Sequence, residues 1–175
     1  MPTLKISIKG FDAHKLHHWI AFGLGSGLAP RAPGTFGTLA AIPLYLLMIQ
    51  LSWPLYLLLV AVFTLVGVWA CDLTARELGA KDPAAIVWDE FVGFFITMSV
   101  VPSAWLTGAW GWLWILAGFL TFRLFDIWKP WPIRLIDARL HGGLGIMLDD
   151  ILAGLFSALA LTCANAFWQF LVPTS

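Results

Sequence analysis

Five carboxylates stand out in a chain of which only 11% is charged: Asp89-Glu90, Asp126 and Asp149-Asp150. Each lies in or beside a long apolar run. Ionisable groups inside a membrane span are costly and mark function by default. Asp89 precedes the helix-breaking Pro102 by 13 positions, about 20 Å of helix. In a hydrocarbon core about 30 Å thick, the pair would sit roughly 10 Å below one surface. Asp149-Asp150 would open the last span, and Asp126 follows Arg123 by three positions, on one helix face. Five carboxylates from three helices at similar depth would repel one another strongly without cations. Hard oxygen ligands with no cysteine cluster suit Mg²⁺, Mn²⁺ or Ca²⁺ better than zinc. Each group also has a plainer reading. Asp89-Glu90 could pair with Arg123 or mark a helix start, Asp149-Asp150 could cap a helix, and Asp126 could serve only its pair with Arg123.

A second constellation could hold an anion. Two glycine-rich stretches, residues 23–27 and 31–38, precede the first long span. Glycine lets backbone N–H groups approach an oxyanion, and Ser26, Arg31, Thr35 and Thr38 could donate to phosphate. The pattern is neither GxxxxGK[ST] nor a strand-flanked GxGxxG, so close packing explains it equally well. Lys129, Arg134, Arg139 and His141 form a second basic set, which membrane topology or attraction to anionic lipid would also produce. Carboxylates that hold a metal, beside cations that hold an oxyanion, suit phosphoryl transfer. Asp89, Glu90, Asp149 and Asp150 are then the catalytic candidates.

The elements that must carry these groups are helices in a bilayer. Of 175 residues, 60% are hydrophobic and only 11% are charged, against about 25% charged in a soluble domain. Ten acidic and ten basic residues balance, which gives no reason to expect nucleic-acid binding. Cys71 and Cys163 fit no metal or redox spacing and read as small hydrophobes. The first sixteen residues lack an apolar core, so no cleavable signal is expected. The length suits a single domain, residues 1–175.

Apolar runs predict spans over residues 36–51, 55–71, 84–101, 104–128 and 151–172, with the last apolar stretch beginning at residue 146. Asp82-Pro83 reads as the start of the third helix, and residues 133–145 as a polar connection. Residues 19–28 are too short to span and read as a re-entrant or interfacial segment. The expected fold is therefore all-α: a polytopic bundle of about five transmembrane helices plus that short segment. The turns at Ser52-Trp53-Pro54 and Pro102-Ser103 carry no charge, and nothing beyond Asp150 does. Lys5, Lys9, Lys15, Arg31, Arg76, Lys81, Lys129, Arg134 and Arg139 fall on the opposite side, which the positive-inside rule makes cytoplasmic. All ten acids share that side. Short outer turns explain why acids are missing outside, but not why they enter the spans.

Four stretches then carry a resemblance: GSGLAPRAPGTFGT (25–38), IVWDEFVG (86–93), FRLFDIWKPWPIR (122–134) and HGGLGIMLDDILAG (141–154). In this order and at this length the sequence resembles the bacterial phosphatidylglycerophosphatase A family. The resemblance implies an enzyme of phosphatidylglycerol biosynthesis in the bacterial inner membrane. It would use Mg²⁺ to remove the terminal phosphate of phosphatidylglycerophosphate at the cytoplasmic face. Cys71 to Arg76 is C-x4-R rather than the C-x5-R of cysteine phosphatases, and no DxDx[TV] motif occurs. A divalent-cation or proton-coupled transporter is the alternative, since intramembrane acids also line ion pathways. Against it, the acids crowd one face and the other half of each span is uncharged.

Overall fold

A computed structural model describes residues 10–108 and 110–171; Lys5, Lys9 and Val172, used above for orientation and span length, lie outside them. The described residues form helices joined by short loops, with no strands. The chain begins with α1 (Leu16–Ala21) and a 3₁₀ segment (Gly23–Leu28), followed by α2 (Pro33–Met48), α3 (Trp53–Leu78) and α4 (Trp88–Met98). After these come α5 (Ser103–Leu106), α6 (Gly111–Trp128), α7 (Ile133–Arg139) and α8 (Gly142–Leu171). Proline opens α2 and α3 within their first two positions, where its missing N–H costs nothing. Gly79, at φ 63°, stops α3 in the left-handed conformation that glycine tolerates best.

Three of these helices are long and apolar enough to cross a membrane: Trp53–Leu78, Gly111–Trp128 and, within α8, Gly142–Phe167. The expected count of about five is not confirmed among the described residues. α2, with 16 residues, and α4, with 11, are shorter than the ~20 residues that a bilayer requires. The expected third span loses its first part because residues 80–87 are not helical. Val87 instead gives its N–H to Ala21 O at 2.8 Å, which ties this stretch to α1. Asp82-Pro83 therefore does not begin a helix. The expected fourth span is broken between α5 and α6. The segment read as a polar connection contains α7, and α8 begins at Gly142 rather than at residue 146 or 151.

α4 is the centre of the bundle. It packs most extensively against α8, and also against α2, α3 and α6. Nine of its eleven residues are buried, Phe91, Phe94, Phe95 and Met98 completely. Between helices in lipid the hydrophobic effect gives little drive, so close van der Waals fit and interhelical hydrogen bonds must hold them. Gly93 and Gly154 provide the fit. A Cβ on Gly154 would lie 2.5 Å from Gly93 O, and one on Gly93 would lie 2.8 Å from Asp150 O. Thr97 spans the same seam, donating to Gly93 O at 2.9 Å and approaching Gly154 O at 3.4 Å. On the α3 side, Trp88 Nε1 donates to Phe63 O and the Tyr56 hydroxyl to Phe95 O.

Large apolar side chains cover the outside. On α6 these include Trp112, Leu116, Leu120, Leu124 and Trp128, all exposed. Among the described residues, charge is confined to the end of the bundle where α3 stops and α8 starts. The other end is made of the turns near residues 49–53 and 99–103, where Trp53 Nε1 approaches Ser99 O.

Candidate active site

Because α4 starts at Trp88, Asp89 and Glu90 stand in its first turn rather than two turns inside a longer helix. That position suits carboxylates, since the helix dipole is positive there. Asp149 and Asp150 show the reverse. They lie two turns into α8, which begins at Gly142, so neither caps it. The helical repeat then sorts them. Asp150, Gly154 and Ser157 follow one another along the α8 face turned to α4, and Glu90, Gly93 and Thr97 run along the facing side of α4. The glycine contact thus lies one turn below the acids and fixes how closely the two acid pairs approach.

Asp89, Glu90 and Asp150 each offer one carboxylate oxygen, and these three atoms lie within 4.8 Å of one another. Glu90 and Asp150 are buried. Asp89 Oδ1, Glu90 Oε2, Asp149 Oδ1 and Asp150 Oδ2 are all shielded from solvent and lack a hydrogen-bond partner. Such atoms are rare and expensive, several in one spot more so. Oxygen donors alone, at this spacing, fit a hard divalent cation.

The other two acids of the expected set flank this group. Asp126 pairs with Arg123 at 2.5 Å, while Asp149 accepts from Lys129 Nζ at 2.5 Å. Lys129 also reaches Asp137 at 3.1 Å. Burial opposes the charge on Lys129, but its bonds to Asp149 and Asp137 outweigh that and hold the ammonium above its ordinary range. Lys129 itself is left-handed at φ 44°, ending α6 and turning its side chain back toward α8.

The proposed anion-holding residues are dispersed differently. The Ser26 hydroxyl donates to Gly23 O and that of Thr38 to Gly34 O, so both protons are spent on local backbone. Thr35 is half-buried in the first turn of α2. Arg31 and Arg134 are exposed. His141 is exposed too, with Nδ1 3.1 Å from Arg139 O, and it lines an open cleft of about 460 Å³ with Asp72, Arg76 and Lys81. The first turn of α2 covers the acid cluster: a Cβ on Gly34 would run into Glu90 Oε1 and lie 3.1 Å from both Nη atoms of Arg123.

Arg123 is the residue that the sequence reading undervalued, taking it only as an ion-pair partner. It is half-buried on α6, 2.5 Å from Asp126 and 3.7 Å from Glu90. The available signal was its position, an arginine more than one turn inside an apolar helix.

A second group of possible ligands, His17, His18 and Glu77, lies away from the acids. Here the hydrogen bonds argue for a tether. Asp12 N–H donates to His18 Nδ1 at 3.0 Å, so a neutral His18 carries its proton on Nε2 and points it at Glu77, 2.9 Å away. A metal-binding histidine has the opposite arrangement, with its outer N–H donating. Lys15 also donates to Glu77 at 2.7 Å, and together these bonds fasten α1 to the end of α3.

Residues 19–165 match the family profile of Phosphatidylglycerophosphatase A. The chain belongs to that family. It is 48% identical over 151 residues to Phosphatidylglycerophosphatase A of Escherichia coli strain K12, covering 86% of this chain and 84% of the relative. The Haemophilus influenzae protein of the same name is 43% identical over 153 residues, with 87% and 90% covered. A Bacteroides thetaiotaomicron protein, provisionally named a phosphatidylinositol-3-phosphatase, is 40% identical over 152 residues, with 83% and 91% covered. No solved structure matches this chain. Membership in the phosphatidylglycerophosphatase A family makes the chain a phosphatase.

Proposed function

We propose that the protein removes the terminal phosphate of phosphatidylglycerophosphate, giving phosphatidylglycerol and inorganic phosphate, with Mg²⁺ held by Asp89, Glu90 and Asp150. The observation that carries this reading is the set of buried, unpartnered carboxylate oxygens on α4 and α8. A bound Mg²⁺ would supply charge neutralisation at the phosphoryl group and lower the proton affinity of a water molecule. The remaining work belongs to the chain. Asp149, held in place by Lys129, and Asp126, held by Arg123, set the charge around the ligands, while the first turn of α2 keeps bulk water off Glu90. The names of the relatives support a phospholipid phosphomonoester as substrate. They also weigh against the transporter alternative.

Removing divalent cations is the direct test. Phosphate release from the lipid by purified protein should fall to background in EDTA and return with added Mg²⁺. Full turnover in a metal-free preparation would refute the ligand assignment.

The site is proposed to face the cytoplasm of a bacterial inner membrane, from the distribution of lysine and arginine. Ser103 and Ala138 are both exposed, one at each end of the bundle. With the exposed Cys163 replaced by serine, a cysteine at 103 should react with an impermeant thiol reagent from the periplasmic side, and one at 138 only after the inner membrane is opened. The reverse pattern would overturn the orientation.

A further inference from the structure

We infer that Arg123 is the residue that binds the nonbridging oxygens of the substrate phosphoryl group. The inference rests on the phosphatase reading above and adds to it a group that was given no part in binding.

A guanidinium carries five N–H donors in a rigid planar fork, and satisfying them needs several acceptors. Arg123 has too few. Asp126 lies 2.5 Å from Nη1, while Glu90, at 3.7 Å, is beyond hydrogen-bond reach. Nε and Nη1 are shielded from solvent, and no acceptor lies in line with their hydrogens. A half-buried charge whose shielded donors stand idle is destabilising unless a ligand completes it. The idle donors sit beside the carboxylates that lack partners, so both deficits occur in one place and are of opposite sign. A phosphoryl group lying between them would give oxygen acceptors to Arg123, with a divalent cation joining it to the acids.

The other cations are less suited. Lys129 is engaged by Asp149 and Asp137, and Arg31, Arg134 and His141 are exposed. The close approach of Gly34 to both Nη atoms confines the guanidinium. A shorter or rounder cation could keep the charge there but could not present two parallel N–H groups.

Inorganic phosphate is the probe, with the Mg²⁺-loaded protein in detergent. Its inhibition constant against lipid hydrolysis and its stabilisation of the thermal midpoint are measured for wild type, Arg123→Lys and Arg123→Ala. Neither quantity depends on the fraction of protein that is correctly folded. The lysine variant should bind phosphate at least about tenfold more weakly, since it loses the bidentate contact. The alanine variant should lose roughly 10³-fold in kcat/KM, the scale seen when an arginine that stabilises a phosphoryl group is removed, and should regain part of it with added guanidinium. If Arg123 merely neutralises Glu90 and Asp126, Arg123→Lys keeps the charge and the phosphate constants stay at their wild-type values. That result overturns the inference, even where Arg123→Ala fails to fold. A wild-type protein inactive toward phosphomonoester lipids would instead refute the phosphatase reading itself.

Discussion

Asp150→Asn should lower turnover by roughly 10³-fold, the loss of about 4 kcal/mol of transition-state stabilisation, while its thermal midpoint in detergent stays level or rises. The two halves of this expectation have one cause. Asp150 is 2% exposed and faces Asp89, Asp126 and Asp149. It takes part in no ion pair among the described residues, so without a cation its charge meets mainly repulsion. Asparagine keeps the shape, removes the charge and gives an amide N–H₂ that can donate to the neighbouring carboxylates. Stability then has no reason to fall. Catalysis does, because one of three hard ligands becomes a neutral one. Asp89→Asn, at a carboxylate that likewise takes part in no ion pair among the described residues, should behave alike. The measurement is phosphate release beside thermal unfolding for each variant. Loss of activity in step with loss of folded protein would make these carboxylates structural and defeat the catalytic assignment.

The second large effect is expected from one methyl group. At an exposed position inside a helix, Gly→Ala stabilises by about 1 kcal/mol through helix propensity. Gly154→Ala should do the opposite. Its Cβ would lie 2.5 Å from the carbonyl oxygen of Gly93 and 3.1 Å from Ile96 Cβ, and neither contact is a flexible side-chain end. The helices must move apart by a few tenths of an ångström or more, straining the Thr97 bridge. Overpacking of this kind costs about 1–3 kcal/mol. The same movement separates Asp150 from Asp89 and Glu90, one turn away, and a displacement near 1 Å at a reacting centre can cost about 10²-fold in rate. The sign of the thermal shift decides the matter. A variant more stable than wild type would show that α4 and α8 do not meet through these glycines.

Both effects depend on residues that differ in how far local sequence reveals them. Asp89, Glu90 and Asp150 were recoverable because a carboxylate in an apolar run is too costly to be incidental. The Arg123–Asp126 pair was legible too, from its spacing of three on one helix. The grouping of the three, with Asp149 set against Lys129, was not. It depends on the rotation of α8 about its axis, which follows from the helix starting at Gly142. Hydropathy cannot locate that start, because the glycines of 142–145 read equally well as loop. The same limit misplaced the third helix. Residues 84–87 are apolar enough to extend a span, yet Val87 gives its N–H to Ala21, a long-range partner that no local pattern announces. The glycines of 25–38 were legible as a group but ambiguous in purpose, since close packing and anion binding ask for the same missing side chain. At Gly34 the structure shows close packing, directly over Glu90.

Unequal helix lengths have a consequence for the surrounding lipid. α3, with 26 residues, is about 39 Å long, and α6, with 18, about 27 Å. A hydrocarbon core of about 30 Å is a few ångströms too thick for an upright α6. α6 is also anchored at each end by an exposed tryptophan, Trp112 and Trp128, a residue that prefers the level of the headgroups. Hydrophobic mismatch of this kind is relieved when the leaflet dimples beside the short helix. The dimple would form on the side of the bundle that carries Arg123 and Asp126. A phospholipid there would bring its headgroup down to the acid cluster by lateral diffusion, with its acyl chains still in the membrane.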